Sequence, residues 1–450
     1  MRNTRCLLRL AALFLIIPAS SYGQKTGWTA VAPMSVARLG HSMVELPSGP
    51  NALGLSSGSG KVMVIGGFDS EPDAPHTPAN PLASCEIYDP TTNTWTAAAP
   101  HPISAGWRWA TVVSNGMVLV MGGAKTLTTL VASSHLYDPS TNTWIATKPA
   151  PVAMINPHAF MHPVSLPNGQ VLIAGGIDQN GVNAVKKGTL PPFSQFSYLF
   201  TLNVRHPELS SWDFTRSKSD GTISPMPEGR TTSALVLMAN GKVLNVGGLG
   251  PKVDGAAEAA TNTASIFDPA TGVWSSVSPM PPVYGLGEDE NIASYPTGPG
   301  SRWAPYAQLL DDGQVLIAGG LAGLVSTLRS SAILFDPVVN GWTLTNPMLF
   351  QRPFGAWRLK NSDGSGVLFA GEGYSSDGTF TLHDLTGEIY APATQQWTLA
   401  PSDGGPTIEG PFSEFESQSV QLKNGTMQVG GGADLATGTI ATKFSWIYKP

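Results

Sequence analysis

Cysteine and charge are both scarce in this chain. It has two cysteines in 450 residues, Cys6 and Cys85, and only 12% of its residues are charged. Cys6 lies in an N-terminal segment that we expect to be removed, so Cys85 has no partner for an internal disulfide. The fold must therefore be held by its packed core.

Basic charge and long apolar runs are scarce as well. The formal net charge is −6, and it becomes more negative without the arginines of the N-terminal segment. A nucleic-acid partner requires a basic surface, so the composition predicts no nucleic-acid binding. No stretch after residue 23 is apolar over the length of a bilayer, so the sequence predicts no membrane span.

The first residues have the layout of a secretory signal peptide. Three arginines come first, an apolar run follows at 10–17, and the small residues Ser21 and Gly23 come next. This order predicts removal of residues 1–23 during export. We expect residues 24–450 to form a single domain in the periplasm or outside the cell.

Glycine and proline are abundant, with 50 and 38 copies, which predicts many turns and little helix. The octapeptide "GQVLIAGG" occurs twice. Related apolar runs that end in paired glycines, including one degraded copy, occur at 61–67, 117–123, 169–176, 241–248, 313–320, 366–373 and 427–432. Such a run predicts a strand that is buried on both faces.

A second repeated element follows five of the seven apolar runs. In "CEIYDPTTNTW" (85–95) and "AILFDPVVNGW" (332–342), a short strand leads into an Asp-Pro turn and then a tryptophan. This pattern predicts a hairpin, and four strands in each period of about 50 to 70 residues indicate propeller blades. The tryptophans expected in the outer strands are Trp28, Trp95, Trp144, Trp212, Trp274, Trp342 and Trp397.

The two ends of the chain complement each other. The segment "GWTAVAPM" (27–34) is a tryptophan strand without a preceding glycine pair, and "KFSWIYKP" (443–450) is a third strand without a following tryptophan strand. We therefore predict an all-β, seven-bladed β-propeller in which the N-terminal outer strand completes the C-terminal blade.

The apolar strand, glycine pair, aromatic-Asp-Pro turn and spaced tryptophan resemble the kelch repeat, especially its bacterial galactose-oxidase-like variety. That resemblance implies a kelch β-propeller, but such propellers include enzymes, carbohydrate-binding proteins and protein-interaction scaffolds. Galactose oxidase would imply a copper site with two tyrosines, one of them cross-linked to cysteine, and two histidines. The chain has no Tyr-His dipeptide, and Cys85 precedes an ordinary strand. We therefore predict no copper site and no other cofactor.

The glycine pairs also mark candidate binding residues. Seventeen residues before the first glycine of four pairs, or at the corresponding strand starts of the other units, lie Arg38, Arg108, His158, Arg230, Arg302, Arg352 and Glu414. These positions should ring one mouth of the central channel. Loop residues expected to meet them there are Asp69, Lys125, Asp178, Glu372 and Asp434.

Two interpretations of these arginines remain open. They either bind loop carbonyls and neighbouring acids, or they converge on a pocket and hold a carboxylate or another anion through bidentate hydrogen bonds. Trp107, Trp109 and Trp303 flank the arginines and could serve as platforms for sugar rings or pack in the core.

Other motifs lack the context that their chemistry requires. In "HAFMH", His158 and His162 have no evident third ligand, so we predict packing or hydrogen bonding there and no metal. The stretches "GLSSG" (54–58) and "GSGKV" (58–62) resemble a hydrolase elbow and a phosphate loop only in part, so both are predicted to be flexible loop.

The sequence favours a secreted, monomeric binding module for a glycan or protein ligand at the arginine-lined mouth. The alternative is an exported epimerase or mutarotase for an acidic sugar, with His158 or Glu414 as the acid or base. A copper oxidase and a structural protein of the cell envelope are less favoured.

Overall fold

The fold comes from a computed structural model. It describes residues 28–47, 58–70, 79–126, 129–155, 161–180, 194–250, 259–282, 300–322, 327–351, 357–360, 367–370, 388–399, 418–422, 427–430, 433–434, 440–441, 443 and 445–448.

These residues form seven four-stranded antiparallel sheets, which we number as blades from the inner strand outward. Blades 1 to 3 contain Ser42–Pro47, Gly58–Ile65, Cys85–Asp89 and Thr94–Ala98; Trp109–Val112, Val118–Met121, Ser134–Asp138 and Thr143–Ala146; and Val164–Ser165, Val171–Ala174, Ser197–Thr201 and Ser211–Phe214. Blades 4 and 5 contain Ala234–Leu237, Val243–Val246, Ala264–Asp268 and Val273–Val277; and Tyr306–Leu309, Val315–Ala318, Ala332–Asp336 and Gly341–Leu344. Blades 6 and 7 contain Trp357–Lys360, Val367–Ala370, Glu388–Ala391 and Gln396–Leu399; and Gln418–Gln421, Met427–Gly430, Ser445–Tyr448 and Trp28–Val31.

Short two-stranded ribbons extend several blades beyond the paired glycines. They join Ala124–Thr126 to Thr129–Leu130, Met154–Ile155 to Ile177–Asp178, Leu249–Gly250 to Ala259–Ala260, Leu321–Ala322 to Thr327–Leu328, and Ala433–Asp434 to Ile440–Ala441. A 3-10 turn covers Pro207–Leu209. Within the part of the chain described above, no helix has the length and hydropathy needed to cross a bilayer.

The sheets follow one another around their inner strands. The inner strand of blade 1 contacts those of blades 7 and 2, and contacts continue from blade 2 through blade 5. The first strand, Trp28–Val31, pairs antiparallel with Ser445–Tyr448 and forms the outer strand of blade 7. The predicted all-β propeller architecture is thus confirmed.

In blades 1 to 5, the second strand carries the core. In blade 5, Val315 and Ile317 pack against blade 4, whereas Leu316 and Ala318 belong to a cluster that includes Tyr390 of blade 6. Alternate side chains therefore point to opposite neighbours, as the period of a strand requires. Burying such a side chain contributes about 1.5–3 kcal/mol, so the continuous apolar run reflects packing on both faces.

Six outer-strand tryptophans connect their blades to the preceding ones. Six indole Nε1 groups donate hydrogen bonds at 2.7–2.9 Å: Trp95 to Ala32, Trp144 to Ala99, Trp212 to Ser134, Trp274 to Ser197, Trp342 to Ser278 and Trp397 to Asn346. The same rings contact an aromatic residue of their own third strand, with centroids 4.9–5.2 Å apart. Each tryptophan therefore fixes both its own hairpin and a joint between blades.

One local prediction was wrong. The "GSGKV" stretch at 58–62, predicted to be loop, belongs to the strand Gly58–Ile65. That strand pairs with the inner strand through an irregularity between Glu45 and Pro47. The Gly60 N–H donates to the Glu45 carboxylate at 3.1 Å, so an acidic side chain holds a hairpin that glycine would otherwise leave free.

Candidate functional site

The paired glycines form joints between neighbouring blades. Gly66 and Gly67 have φ values of 62° and 99°, which glycine adopts without strain. A Cβ on Gly66 would lie 2.5 Å from the Ala105 carbonyl oxygen of blade 2, and the Gly67 N–H donates to that same oxygen at 3.1 Å. The same bond to the next blade joins Gly123 to Met154, Gly176 to Arg230 and Gly248 to Arg302.

Three of the predicted arginines bind the carbonyl groups of the glycines at these joints. Arg230 Nη1 donates to the Gly247 carbonyl at 3.0 Å and to the Thr263 carbonyl at 3.1 Å, and Nη2 donates to Thr263 Oγ1 at 2.9 Å. The pattern recurs where Arg302 binds Gly319 and Ser331, and where Arg38 binds Gly66 and Ser84. Each guanidinium group therefore spans from the first glycine of its own blade to the residue that leads into the third strand.

All three of these side chains are buried, with exposed fractions of 0–1%. Burial lowers the pKa of Arg230 to about 10. A bidentate contact with a ligand carboxylate would have to replace the bonds that these groups donate to the protein. The described geometry therefore gives them a bracing role, and direct ligand contact by them stays a prediction.

Arg38 and Arg230 both pair with an acid, but only the pair of Arg38 is fully buried, since Glu228, 3.6 Å from Arg230 Nη2, is partly exposed. Arg38 Nη2 lies 2.8 Å from Glu86 Oε1, and the two Glu86 oxygens accept the N–H groups of Ser35 and Val36. Burial acts to raise the pKa of Glu86, but the hydrogen bonds from Ser35 and Arg38 outweigh it and leave this pKa below its ordinary value. Arg38 thus pairs with Glu86, whereas the sequence analysis placed Asp69 among the loop residues meeting the arginines.

Asp69 instead closes its own loop. Its carboxylate accepts hydrogen bonds at 2.8 Å from both the backbone N–H and the side-chain amide of Asn80. Burial acts to raise the pKa of Asp69, but these bonds lower it overall. Lys125 is exposed on the loop of blade 2, and Asp178 is half-buried in a ribbon opposite Met154.

Arg108 reaches the same kind of carbonyl from a different position. Ala105, whose carbonyl accepts the bond from blade 1, occupies the place equivalent to Arg38. Arg108 lies three residues further on, and its Nη1 donates to the Gly122 carbonyl at 3.0 Å while Nη2 donates to Ile103 at 2.7 Å. It is 2% exposed, and burial lowers its pKa to about 10. Blade 2 therefore keeps a buried arginine on the carbonyl of its first glycine, although Arg108 lies three residues later in the chain than the position equivalent to Arg38.

The predicted spacing fails in blade 3. The Met154 carbonyl accepts the bond from blade 2, and Ile155 pairs with Ile177 directly after the glycine pair. Met154 therefore takes the position that the spacing assigned to His158, because the chain between it and the inner strand is longer than in blade 4. His158, Arg352, Glu414 and Glu372 lie outside the described residues.

The sequence analysis missed two buried glutamates at one repeated position. Glu388, the blade 6 equivalent of Glu86, accepts the N–H groups of Leu349 at 2.5 Å and Phe350 at 3.1 Å. Both glutamates hold the segment that leads into the inner strand of their blade. The shared "EIY" of "CEIYD" and "GEIYA" was the available signal, since a charged residue in a buried strand requires partners.

Loop length separates the two ends of the propeller. Strands two and three are joined on the glycine side by the long segments 66–84, 122–133, 175–196, 247–263 and 319–331. In blades 2 to 5, the inner hairpins turn at the opposite end through the short segments 113–117, 166–170, 238–242 and 310–314. The end where the arginines bind the glycine carbonyls, the braced end, therefore carries the longer loops, and these loops differ in length from blade to blade.

The three tryptophans near the arginines have different environments. Trp107 and Trp109 are 3% and 2% exposed and belong to core clusters. Trp303 directly follows Arg302, pairs with Leu321 next to a glycine pair, and is partly exposed. Of the three, Trp303 is the one whose placement suits contact with a ligand.

No group of three or more His, Cys, Asp or Glu side chains suited to a metal ion occurs among the residues with described positions. His162, one half of the predicted histidine pair, is exposed.

Comparison with known proteins agrees with this architecture. The family described as the kelch motif matches residues 53–102. A putative F-box/kelch-repeat protein of Arabidopsis thaliana is 29% identical over 126 residues, which cover 26% of this chain and 34% of that protein. The match thus spans about a third of the length of this curated relative.

Two solved structures share the fold. A fungal alcohol oxidase of the AA5 family, in complex with copper, has a TM-score of 0.60 and 15% identity, with 94% of this chain and 76% of that one covered. The protein YjhT has a TM-score of 0.50 and 13% identity, with 82% and 99% covered.

Fold and site together define an all-β propeller with glycine-arginine joints between neighbouring blades. The motif match and the plant relative support a kelch-repeat protein, and the two solved structures share its fold.

Proposed function

We propose that this protein is an exported binding module that takes a glycan at the mouth on the glycine side of the propeller. The observation that carries the proposal is the contrast between long loops at the braced end and short turns at the other. Loops held by a rigid scaffold are the usual location of binding residues.

Bracing by the arginines supports this assignment. Arg230 and Arg302 tie the glycine pairs of blades 4 and 5 to the third strands, so the loops leave the sheets at fixed angles. A surface ordered before binding loses less conformational entropy when the ligand arrives. The arginines act as positioning residues in this proposal, and side chains further out contact the ligand.

Trp303 and Lys125 are the described residues best placed for that contact. Trp303 is partly exposed beside a braced glycine pair, and Lys125 is exposed on the equivalent loop of blade 2. An aromatic ring with a few polar groups is the usual lining of a small-molecule site, and it suits the apolar face and hydroxyl groups of a sugar.

A glycan array probed with the purified protein tests the proposal. We expect Trp303→Ala and Lys125→Glu each to weaken binding to the best glycan at least about tenfold, equivalent to about 1.4 kcal/mol. Lys218→Glu is the matched control, because Lys218 is also exposed but lies away from the glycine pairs. Its backbone N–H donates to the Thr271 carbonyl in an Asp-Pro turn. Equal loss in all three variants, or capture of proteins but of no glycan, would reject the glycan site.

Export is the second part of the proposal. The leader pattern at 1–23 supports it. N-terminal sequencing of protein recovered from the periplasm or the medium should begin near residue 24. Recovery in the cytoplasm with an intact N-terminus would contradict export.

A further inference from the structure

Two buried histidines meet at the joint between blades 1 and 2. His101 and His135 are 2% and 7% exposed, and their ring centroids lie 4.7 Å apart in an edge-to-face arrangement. Trp144 covers His101 from the outer strand of blade 2, at 4.6 Å between centroids. Neither His101 Nε2 nor His135 Nδ1 has a hydrogen-bond partner among the described residues.

The pair is peculiar to this joint. The N–H of His101 donates to a carbonyl preceding the third strand of blade 1. At other described joints the same bond is made by the buried Met34, Met226, Met280 and Met348, and at one joint by Ala150. The strand register gives His135 the position of Glu86, Ser265, Ile333 and Glu388 in other blades. At the joint between blades 1 and 2, His101 thus lies where four other joints have methionine, and His135 lies where other blades have Glu, Ser or Ile.

The charged neighbour of this pair is a cation. Arg108, at the start of the inner strand of blade 2, donates to the carbonyl of Ile103. His101 Nδ1 lies 2.8 Å from that same carbonyl oxygen and 3.1 Å from the Ile103 nitrogen. Cys85 faces the joint from the third strand of blade 1. A second positive charge placed here would be buried beside Arg108, which favours the neutral imidazoles.

Burial, reinforced by Arg108, lowers the pKa of His101 to about 2 and that of His135 to about 4. For His101 the neighbouring His135 contributes as well. A histidine whose pKa is lowered by folding stabilises the closed joint fully above its ordinary pKa of about 6.5, and this stability is lost as the pH falls below that value.

We propose that His101 and His135 form an acid-sensitive joint, and that their protonation separates blade 1 from blade 2. Opening lets both rings reach water, whereas the closed joint leaves the new charges desolvated next to Arg108. Local opening of this kind requires less free energy than unfolding of the whole chain. Acid would thus convert a closed propeller into one that is open at a single defined joint.

Cys85 provides a reporter at that place. It is 2% exposed in the closed joint, and burial raises the pKa of its thiol. The chain has one other cysteine, Cys6, which Cys6→Ser removes. Labelling of Cys85 by a disulfide reagent, dithiodipyridine, then measures how often the joint opens.

The experiment compares labelling rates at about pH 7 and about pH 4.5 in the full chain carrying Cys6→Ser. Each rate is divided by that of the urea-unfolded chain at the same pH, which removes the intrinsic pH dependence of the thiol. Because one histidine with a strongly lowered pKa changes the opening equilibrium about 100-fold over this range, we expect at least that increase in the normalised rate.

Two variants test the histidines separately. His101→Met installs the residue found at four other joints, and His135→Ile installs the residue of blade 5. Each variant that folds should reduce the acid-induced increase by about tenfold or more. A normalised rate that is the same at both pH values, or an increase that both variants retain, would overturn the proposal.

Discussion

At the scale of single residues, the joints depend on two features. The glycines have no side chain, and the arginine side chains are long enough to bind the glycine carbonyls. Gly247 lies where a Cβ would be 2.6 Å from the Arg302 carbonyl oxygen, while Arg230 Nη1 binds the carbonyl of Gly247 itself. The glycine thus admits the backbone of the next blade, and the arginine fixes the peptide that makes this possible.

Gly247→Ala tests that close approach. Two effects act together, a φ of 64° and the collision with the Arg302 carbonyl, so we expect a loss of several kcal/mol in the free energy of unfolding, of order 3 kcal/mol. Gly313→Ala is the control, because Gly313 has a φ of 88° but no atom lies within 4 Å of the place that a Cβ would occupy. It should cost only about 1–2 kcal/mol in urea denaturation. Equal losses would mean that backbone strain alone explains the glycine.

At the scale of elements, the outer hairpins of blades 1 to 6 each carry their own attachment to the preceding blade. Trp274 contacts Phe267 within its hairpin and donates from Nε1 to Ser197 Oγ of blade 3 at 2.8 Å. Ser197 Oγ also lies 2.7 Å from Thr215 Oγ1, so the indole joins a small buried network of hydroxyl groups. The repeat therefore encodes a strand pair together with the contact that docks it.

A double-mutant cycle with Trp274→Phe and Ser197→Ala measures this docking contact. Trp274→Phe keeps an aromatic ring but leaves the Ser197 hydroxyl without its indole donor, and we expect a coupling of about 1 kcal/mol between the two changes. Urea denaturation of the four proteins gives the value. Trp95→Phe with Ser197→Ala is the unlinked control pair and should be additive; a zero coupling for Trp274 would remove the bond from the account of blade docking.

At the scale of the whole molecule, the N-terminal strand belongs to the same sheet as the C-terminal one. Trp28–Val31 pairs with Ser445–Tyr448, Ala32 accepts the Trp95 indole bond of blade 1, and the Met34 N–H donates to Lys443. Residues far apart in sequence thus hold one sheet and its contact with the next blade.

Deleting residues 24–34 should therefore destabilise the entire propeller. The deletion leaves Ser445–Tyr448 without its outer partner and Trp95 without its acceptor. We expect the Tm to fall by more than about 10 °C, because several kcal/mol are lost at once. Deleting residues 24–27 alone is the control and should change the Tm little. An unchanged Tm in the longer deletion would contradict a structural role for this strand.

Much of the fold was accessible from sequence because its signals are local. Apolar runs such as Val171–Ala174, the glycine pairs and the Asp-Pro turns each follow from the conformational preferences of a few neighbouring residues. Repetition then compensated for the weakness of each signal. The "GSGKV" stretch was missed because a contact with Glu45, distant in the hairpin, orders glycines that look flexible by themselves.

The candidate site was less accessible. Counting residues back from a glycine pair located Arg230 and Arg302, but the same count pointed to His158 in blade 3, where Met154 holds the equivalent place. Connections between blades differ in length, so a distance along the chain does not define a distance in space. Arg108 shows the opposite case. It does not occupy the position equivalent to Arg38, yet it binds the equivalent glycine carbonyl.

The sequence by itself determined the strands, the turns and their repetition, because these depend on backbone preferences and on the alternation of apolar side chains. Only the tertiary structure decided which groups meet between blades: the burial of Arg38 with Glu86, the bonds from four described glycine pairs to the next blade, and the contact of His101 with His135. Those contacts join segments that are distant in sequence. Their energies depend on burial and on distance in space, which a local sequence pattern does not specify.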